Sequence, residues 1–123
     1  MGINCCAVTL DTCPDAVIVG EPFNVVFDVV VTETCRECLA KCLVVVPGQG
    51  PGGATCVLSS PGLTPNPNGT LTIPPSDGLR PVTATVTVRK CPPRKASINV
   101  NLAINCANCE DSAVCLIRNC SEC

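Results

Sequence analysis

Thirteen of the 123 residues are cysteine, so sulfur is the one reactive resource this chain holds in quantity. The thiols stand at Cys5, Cys6, Cys13, Cys35, Cys38, Cys42, Cys56, Cys91, Cys106, Cys109, Cys115, Cys120 and Cys123. Three chemistries compete for them: disulfide cross-linking, metal ligation and redox catalysis. An odd count cannot pair completely within one chain, so at least one thiol is free or bonded to another molecule. Cys5 and Cys6 are adjacent, and a bond between neighbours strains the intervening peptide. Two such thiols close to the N-terminus are suited to grip a different chain.

The metal reading rests on three CxxC pairs, Cys35/Cys38, Cys106/Cys109 and Cys120/Cys123. Two such pairs can build a Cys₄ zinc site. Here the last two are only ten residues apart, Cys115 interrupts them, and there is no histidine to complete a mixed site. An iron–sulfur cluster is weaker still, because the four-cysteine runs of ferredoxins are not matched. Redox catalysis through CxxC needs a thiolate at a helix N-terminus to lower its pKa, and the sequence offers no such helix.

Other chemistry is thin. Without His, Tyr or Trp, and with Phe23 and Phe27 the sole aromatics, the chain lacks the usual proton shuttle and base-stacking platforms. Gly48, Gly50, Gly52 and Gly53 make a glycine-rich loop with no lysine and no following helix, which is not a phosphate cradle. Asn68-Gly69-Thr70 and Asn119-Cys120-Ser121 fit the N-glycosylation triplet, although a hairpin turn explains Asn68-Gly69 without a glycan. No catalytic, cofactor-binding or metal-binding residue is assigned, and the chain is not read as an enzyme. A net charge of −2 gives no general pull toward nucleic acid or anionic lipid. Acids concentrate in residues 1–37, whereas Arg80, Arg89, Lys90, Arg94 and Lys95 fall in an acid-free stretch. That asymmetry reads either as two solvated faces or as an acidic end that meets a basic end on a neighbouring copy. No membrane span is expected, since Asp28 breaks the longest apolar run. Residues 1–13 have neither the cationic start nor the long apolar stretch of a classical secretory signal.

The elements that must position these thiols are strands. Phe23, Val25, Phe27, Val29 and Val31 give one apolar face at a period of two. Val82, Ala84, Val86 and Val88 alternate with threonines, and Ile98, Val100, Leu102 and Ile104 alternate mostly with asparagines. Shorter candidates cover 7–10, 16–19, 43–46, 55–58, 70–73 and 114–117. The segment 35–42 offers a helical turn or two at most. Pro/Gly-rich breakers separate the strands at 47–53 and 60–69, and the charged 89–95 segment reads as a hairpin between the two best strands. Together they indicate an all-β fold: a single two-sheet β-sandwich, Ig-like or jelly-roll, of about seven to nine strands. Residues 14–105 form the sandwich in this reading, with a connector arm at 1–13 and a cysteine-rich C-terminal segment at 106–123.

An aliphatic sandwich of this size with a Cys5-Cys6 pair near an untagged N-terminus resembles the endospore appendage subunits, pilus-like fibre proteins of spore-forming Firmicutes. The resemblance implies a jelly-roll domain that polymerises helically, with connector thiols bonding to earlier subunits. Cys5 and Cys6 would then be the connector thiols, received on a neighbour by Cys109, Cys115, Cys120 or Cys123. Cys13, Cys35, Cys38, Cys42, Cys56, Cys91 and Cys106 are left for bonds within the chain. The expectation is a self-assembling, disulfide-cross-linked filament subunit at the cell or spore surface, whose partners are copies of itself. The rivals are a monomeric Ig-like adhesion or binding module with internal disulfides, and a cysteine-rich metal-binding protein.

Overall fold

A computed structural model describes residues 6–32, 37–50, 52–76, 78–106 and 109–122. Among them are ten strands and no helix: β1 (Cys6–Thr12), β2 (Ala16–Ile18), β3 (Phe23–Val31), β4 (Cys38–Val45), β5 (Ala54–Ser59), β6 (Leu71–Ile73), β7 (Arg80–Val88), β8 (Ile98–Asn105), β9 (Glu110–Ile117) and β10 (Asn119–Ser121). They form one four-stranded sheet in the order β1-β3-β7-β5, a second in the order β6-β4-β8-β9, and a short pair β10-β2. The two larger sheets are antiparallel throughout, and β10 runs parallel to β2. The fold is an all-β sandwich.

Alternation in the sequence builds the core directly. Val25, Phe27, Val29 and Val31 of β3 lie opposite Ala84, Val82 and Arg80 of β7 or continue that row, and the apolar members are fully buried. Ile98, Val100, Leu102 and Ile104 project from β8 into the same core, also at 1% exposure or less. A core of Val, Ile, Leu and Ala with few aromatics is close-packed by branched side chains, which suit the pleated surface. Pro81 lies inside β7, where it cannot donate a ladder bond. It costs β5 nothing, because that pairing ends at Ser59 opposite Thr83, and the Ser60 hydroxyl instead donates to the Pro81 carbonyl at 2.7 Å.

Several elements differ from the sequence reading. The 89–95 segment is not a hairpin: β7 and β8 belong to different sheets, so the connection crosses from one layer to the other. Two strands with one apolar face each satisfy a period of two equally well side by side or facing each other across a core. The 35–42 segment, allowed a helical turn or two at most, contributes Cys38–Cys42 to β4. The short strand candidates at 7–10 and 114–117 lie within β1 and β9, and the N- and C-terminal segments expected as arms belong to the body: β1 pairs with β3, β9 with β8, and β10 with β2.

The Asn68-Gly69 turn holds β6 in place. Gly69 has φ +88°, a left-handed conformation that glycine adopts without a Cβ penalty. The Asn68 carboxamide oxygen accepts from the Thr70 amide and hydroxyl, so this side chain is engaged in turn formation.

Candidate functional site

The inward face of each sheet determines where sulfur goes. On β1, Cys6 and Val8 point into the core, Cys6 at 2% exposure. The register to β3 slips between Leu10, opposite Phe27, and Thr12, opposite Val26. That bulge reverses the alternation, so Thr12 shares the outward row of Val26 and Cys13 turns inward. On β9 the inward row is Ala113, Cys115 and Ile117, and Cys115 is fully buried. Strands β1 and β9 lie beside each other where the two sheets meet, and their cysteines join across that seam. Cys6 bonds Cys109, with Cα atoms 6.3 Å apart, and Cys13 bonds Cys115 at 5.7 Å. Between the two bonds, the Val8 amide donates to Asp111 Oδ2 at 2.8 Å, giving an edge-strand donor an acceptor.

The opposite side is closed by Cys42 of β4 and Cys56 of β5, both on inward rows, with Cα atoms 6.4 Å apart. Cys38 bonds Cys106 at 4.3 Å, one step beyond the Leu39–Asn105 pair that begins the β4–β8 ladder. Cys91, in the 89–97 connection, bonds Cys120 of β10 at 5.6 Å. The bonds therefore staple both sides of the sandwich, one ladder within a sheet, and one end.

This overturns the assignment of Cys6, Cys109, Cys115 and Cys120 to bonds between copies. Each of these sulfurs is already bonded to a partner in the same chain, and Cys6 and Cys115 are also buried in the core. Cys13, Cys38, Cys42, Cys56, Cys91 and Cys106 are bonded within the chain. Cys5, Cys35 and Cys123 lie outside the described residues. The CxxC spacing proves incidental to geometry: Cys106 and Cys109 each take a different distant partner. The signal that finds the seam is available in the sequence if cysteine is counted as a small apolar residue. Cys6-Val8 and Ala113-Cys115-Ile117 then read as inward rows.

Charge is less segregated in the fold than along the chain. Asn119 donates to the Asp15 carbonyl at 3.2 Å, Gly20 donates to the Val88 carbonyl at 3.0 Å, and Glu122 accepts from the Cys91 amide at 3.3 Å. Asp15, Glu21 and Glu122 therefore sit at the same end as Arg89, Lys90, Arg94, Lys95 and Arg118. A simple acidic end facing a basic end does not describe this molecule.

The outer faces of the two sheets differ. The β1-β3-β7-β5 sheet presents Thr83, Thr85 and Thr87 along β7, in the rows Val26–Thr83–Ser59 and Asn24–Thr85–Val57, with Thr87 beside Thr55, and Thr85 donates to Asn24 at 3.0 Å. The other sheet presents apolar side chains on both sides of an asparagine column. Its rows run Val45–Asn99–Leu116, Leu43–Asn101–Val114, Lys41–Ala103–Ser112 and Leu39–Asn105–Glu110. Leu43 is 58% exposed, Leu116 50% and Leu39 49%.

No protein-family model matches the chain, and no curated protein matches it. Among the described residues no helix is long and apolar enough to cross a membrane. Five disulfides among the described residues of so small a chain point to an oxidising, extracellular-type environment.

Proposed function

We propose that this chain is a structural subunit that assembles with copies of itself into a disulfide-cross-linked filament at the cell or spore surface. The observation that carries the reading is a parity. Ten of the thirteen cysteines close on one another inside the body, which leaves Cys5, Cys35 and Cys123. Three thiols can form one bond at most among themselves, so at least one has no partner within these 123 residues. A bond to a neighbouring copy satisfies it. The stapled sandwich supports the same reading, because a subunit that bears load in a fibre gains from cross-links that keep its two sheets from separating. Resemblance to spore appendage subunits accords with this division into a stiff body and linking thiols. The linking role falls to Cys5, Cys35 and Cys123 rather than to the cysteines of the seam.

The five internal bonds favour one other reading, a monomeric binding module whose disulfides serve only its own stability. Electrophoresis without reductant separates the two. A subunit linked through two or more of these thiols runs as a ladder and one linked through a single thiol as a covalent dimer, both collapsing on reduction, and negative-stain images show fibres that shorten when reductant is added. A single monomer band whose one remaining thiol reacts with maleimide, and fields free of fibres, would exclude the filament.

A further inference from the structure

We infer that the outer face of the β6-β4-β8-β9 sheet is a contact surface for a second copy of this chain, packed face to face about a twofold axis parallel to the strands. The inference deepens the assembly reading by naming the non-covalent surface. Leu43 and Val45 of β4 lie on one side of the central strand β8, and Val114 and Leu116 of β9 lie on the other, in matching rows. All four are exposed by 41% or more. Large apolar side chains gathered on one face mark an interaction surface, whereas the same residues scattered singly would need no explanation.

The layout identifies the occupant. A twofold axis running along β8 places β4 of one copy over β9 of the other without shifting either along the strand. Leu43 and Val45 then meet the partner copy's valine and leucine of β9, twice by symmetry. In the next rows Lys41 comes over the serine of β9 and Leu39 over its glutamate, so the Lys41 ammonium reaches the carboxylate of Glu110 on the other copy diagonally, one row along. An isologous contact requires a surface that complements itself under rotation, and this face pairs apolar with apolar and cation with anion. Sheets packing face to face align within about 30° and sit about 10 Å apart, which suits side chains of these sizes. A twofold axis across the strands, set between the Leu43 and Val45 rows, would also lay apolar on apolar but would carry Lys41 and Glu110 away from each other, so the charge pair is what selects the parallel axis.

The footprint sets the strength. Eight-residue strands are about 26 Å long, and the three strands that carry the apolar rows span roughly 15 Å, below the ~800 Å² per partner of a standard stable interface. The contact is therefore weak alone and suits a repeated contact in an assembly. A closed twofold contact makes pairs, and disulfides between pairs extend them.

The test uses the oxidised, full-length protein with its accessible thiols capped by iodoacetamide, so that no new intermolecular disulfide forms. Sedimentation equilibrium up to about 1 mM should show a monomer–dimer equilibrium, as expected for an interface at the small end of the range. Leu43→Asp and Val114→Asp should each weaken it about tenfold or more, while Val57→Asp, a matched change on the outer face of the opposite sheet, should leave it within about twofold. Lys41→Glu should weaken it, and Lys41→Glu combined with Glu110→Lys should restore it. A capped protein that stays monomeric throughout, an equal loss from Val57→Asp, or a charge swap that fails to rescue would overturn the face. A disulfide ladder from uncapped protein whose capped form is monomeric would refute the face and leave the filament. Capped dimers without a ladder would do the reverse.

Discussion

Cys13 and Cys115 stand 102 positions apart in sequence, yet their Cα atoms lie 5.7 Å apart at the seam between the two sheets. Cys6 and Cys109 close nearly the same loop, with a separation of 103. The first and ninth strands are thus held together twice, by bonds that constrain largely the same chain entropy. A single cross-link over about 100 residues is worth about 4.7 kcal/mol in the chain-entropy account, and a second over the same loop adds far less.

Removing either seam bond alone, as Cys6→Ala/Cys109→Ala or as Cys13→Ala/Cys115→Ala, should therefore cost well under that figure, on the order of 1–2 kcal/mol. Removing both should cost clearly more than the sum of the two. Denaturant unfolding of the three variants measures this directly; strictly additive losses would show that the bonds do not share one loop.

Val8 and Asp111 form the hydrogen bond between these two links. Asp111→Ala should cost about 1 kcal/mol, since it removes the acceptor of an edge-strand amide that water can partly replace. Hydrogen exchange offers a local readout: the Val8 amide should exchange faster in the variant, while amides in β7 keep their protection. Unchanged Val8 exchange would mean the carboxylate does not hold that edge.

Legibility in the sequence followed how each strand spends its inward positions. Strands β3, β7 and β8 fill theirs with Val, Ile, Leu, Phe and Ala, and their periodicity was readable residue by residue. Strands β1 and β9 fill theirs partly with Cys6 and Cys115, which read as chemistry instead of core, so only the short pieces 7–10 and 114–117 read as strand and the segments as a whole read as arms. Strand β10 is three residues long and gains its place from its parallel pairing with β2 and from the Cys91–Cys120 bond, neither of which leaves a local pattern. Disulfide partners were illegible for a different reason. They are chosen by which inward rows the sheets bring together, and by a bulge at Leu10–Thr12 that redirects Cys13.

The core itself yields a sharp contrast. Phe27 is the largest fully buried side chain. Phe27→Ala should destabilise by about 3–5 kcal/mol, because it combines lost burial with a cavity that a stapled framework cannot collapse around. Val57→Thr, on an exposed outer face, should stay within about 0.5 kcal/mol. Thermal unfolding under oxidising conditions compares the two, and similar losses would contradict the placement of these faces.

Gly69 gives the last test, one that separates backbone strain from packing. Its φ is +88°, and a Cβ built there meets no heavy atom within 4 Å. Gly69→Ala therefore creates no clash, and any loss reflects the cost of holding alanine in a left-handed conformation, about 1–2 kcal/mol. Gly69→Asn should cost less, since asparagine tolerates that region. At Gly48 the φ is +80° and a Cβ would also stand 3.2 Å from Pro93, a residue of the 89–97 connection. Gly48→Ala should therefore cost more than Gly69→Ala, and Gly48→Ala with Pro93→Ala should recover the difference. Equal losses at the two glycines in equilibrium unfolding would show that the 47–48 turn does not press on the crossover between the sheets.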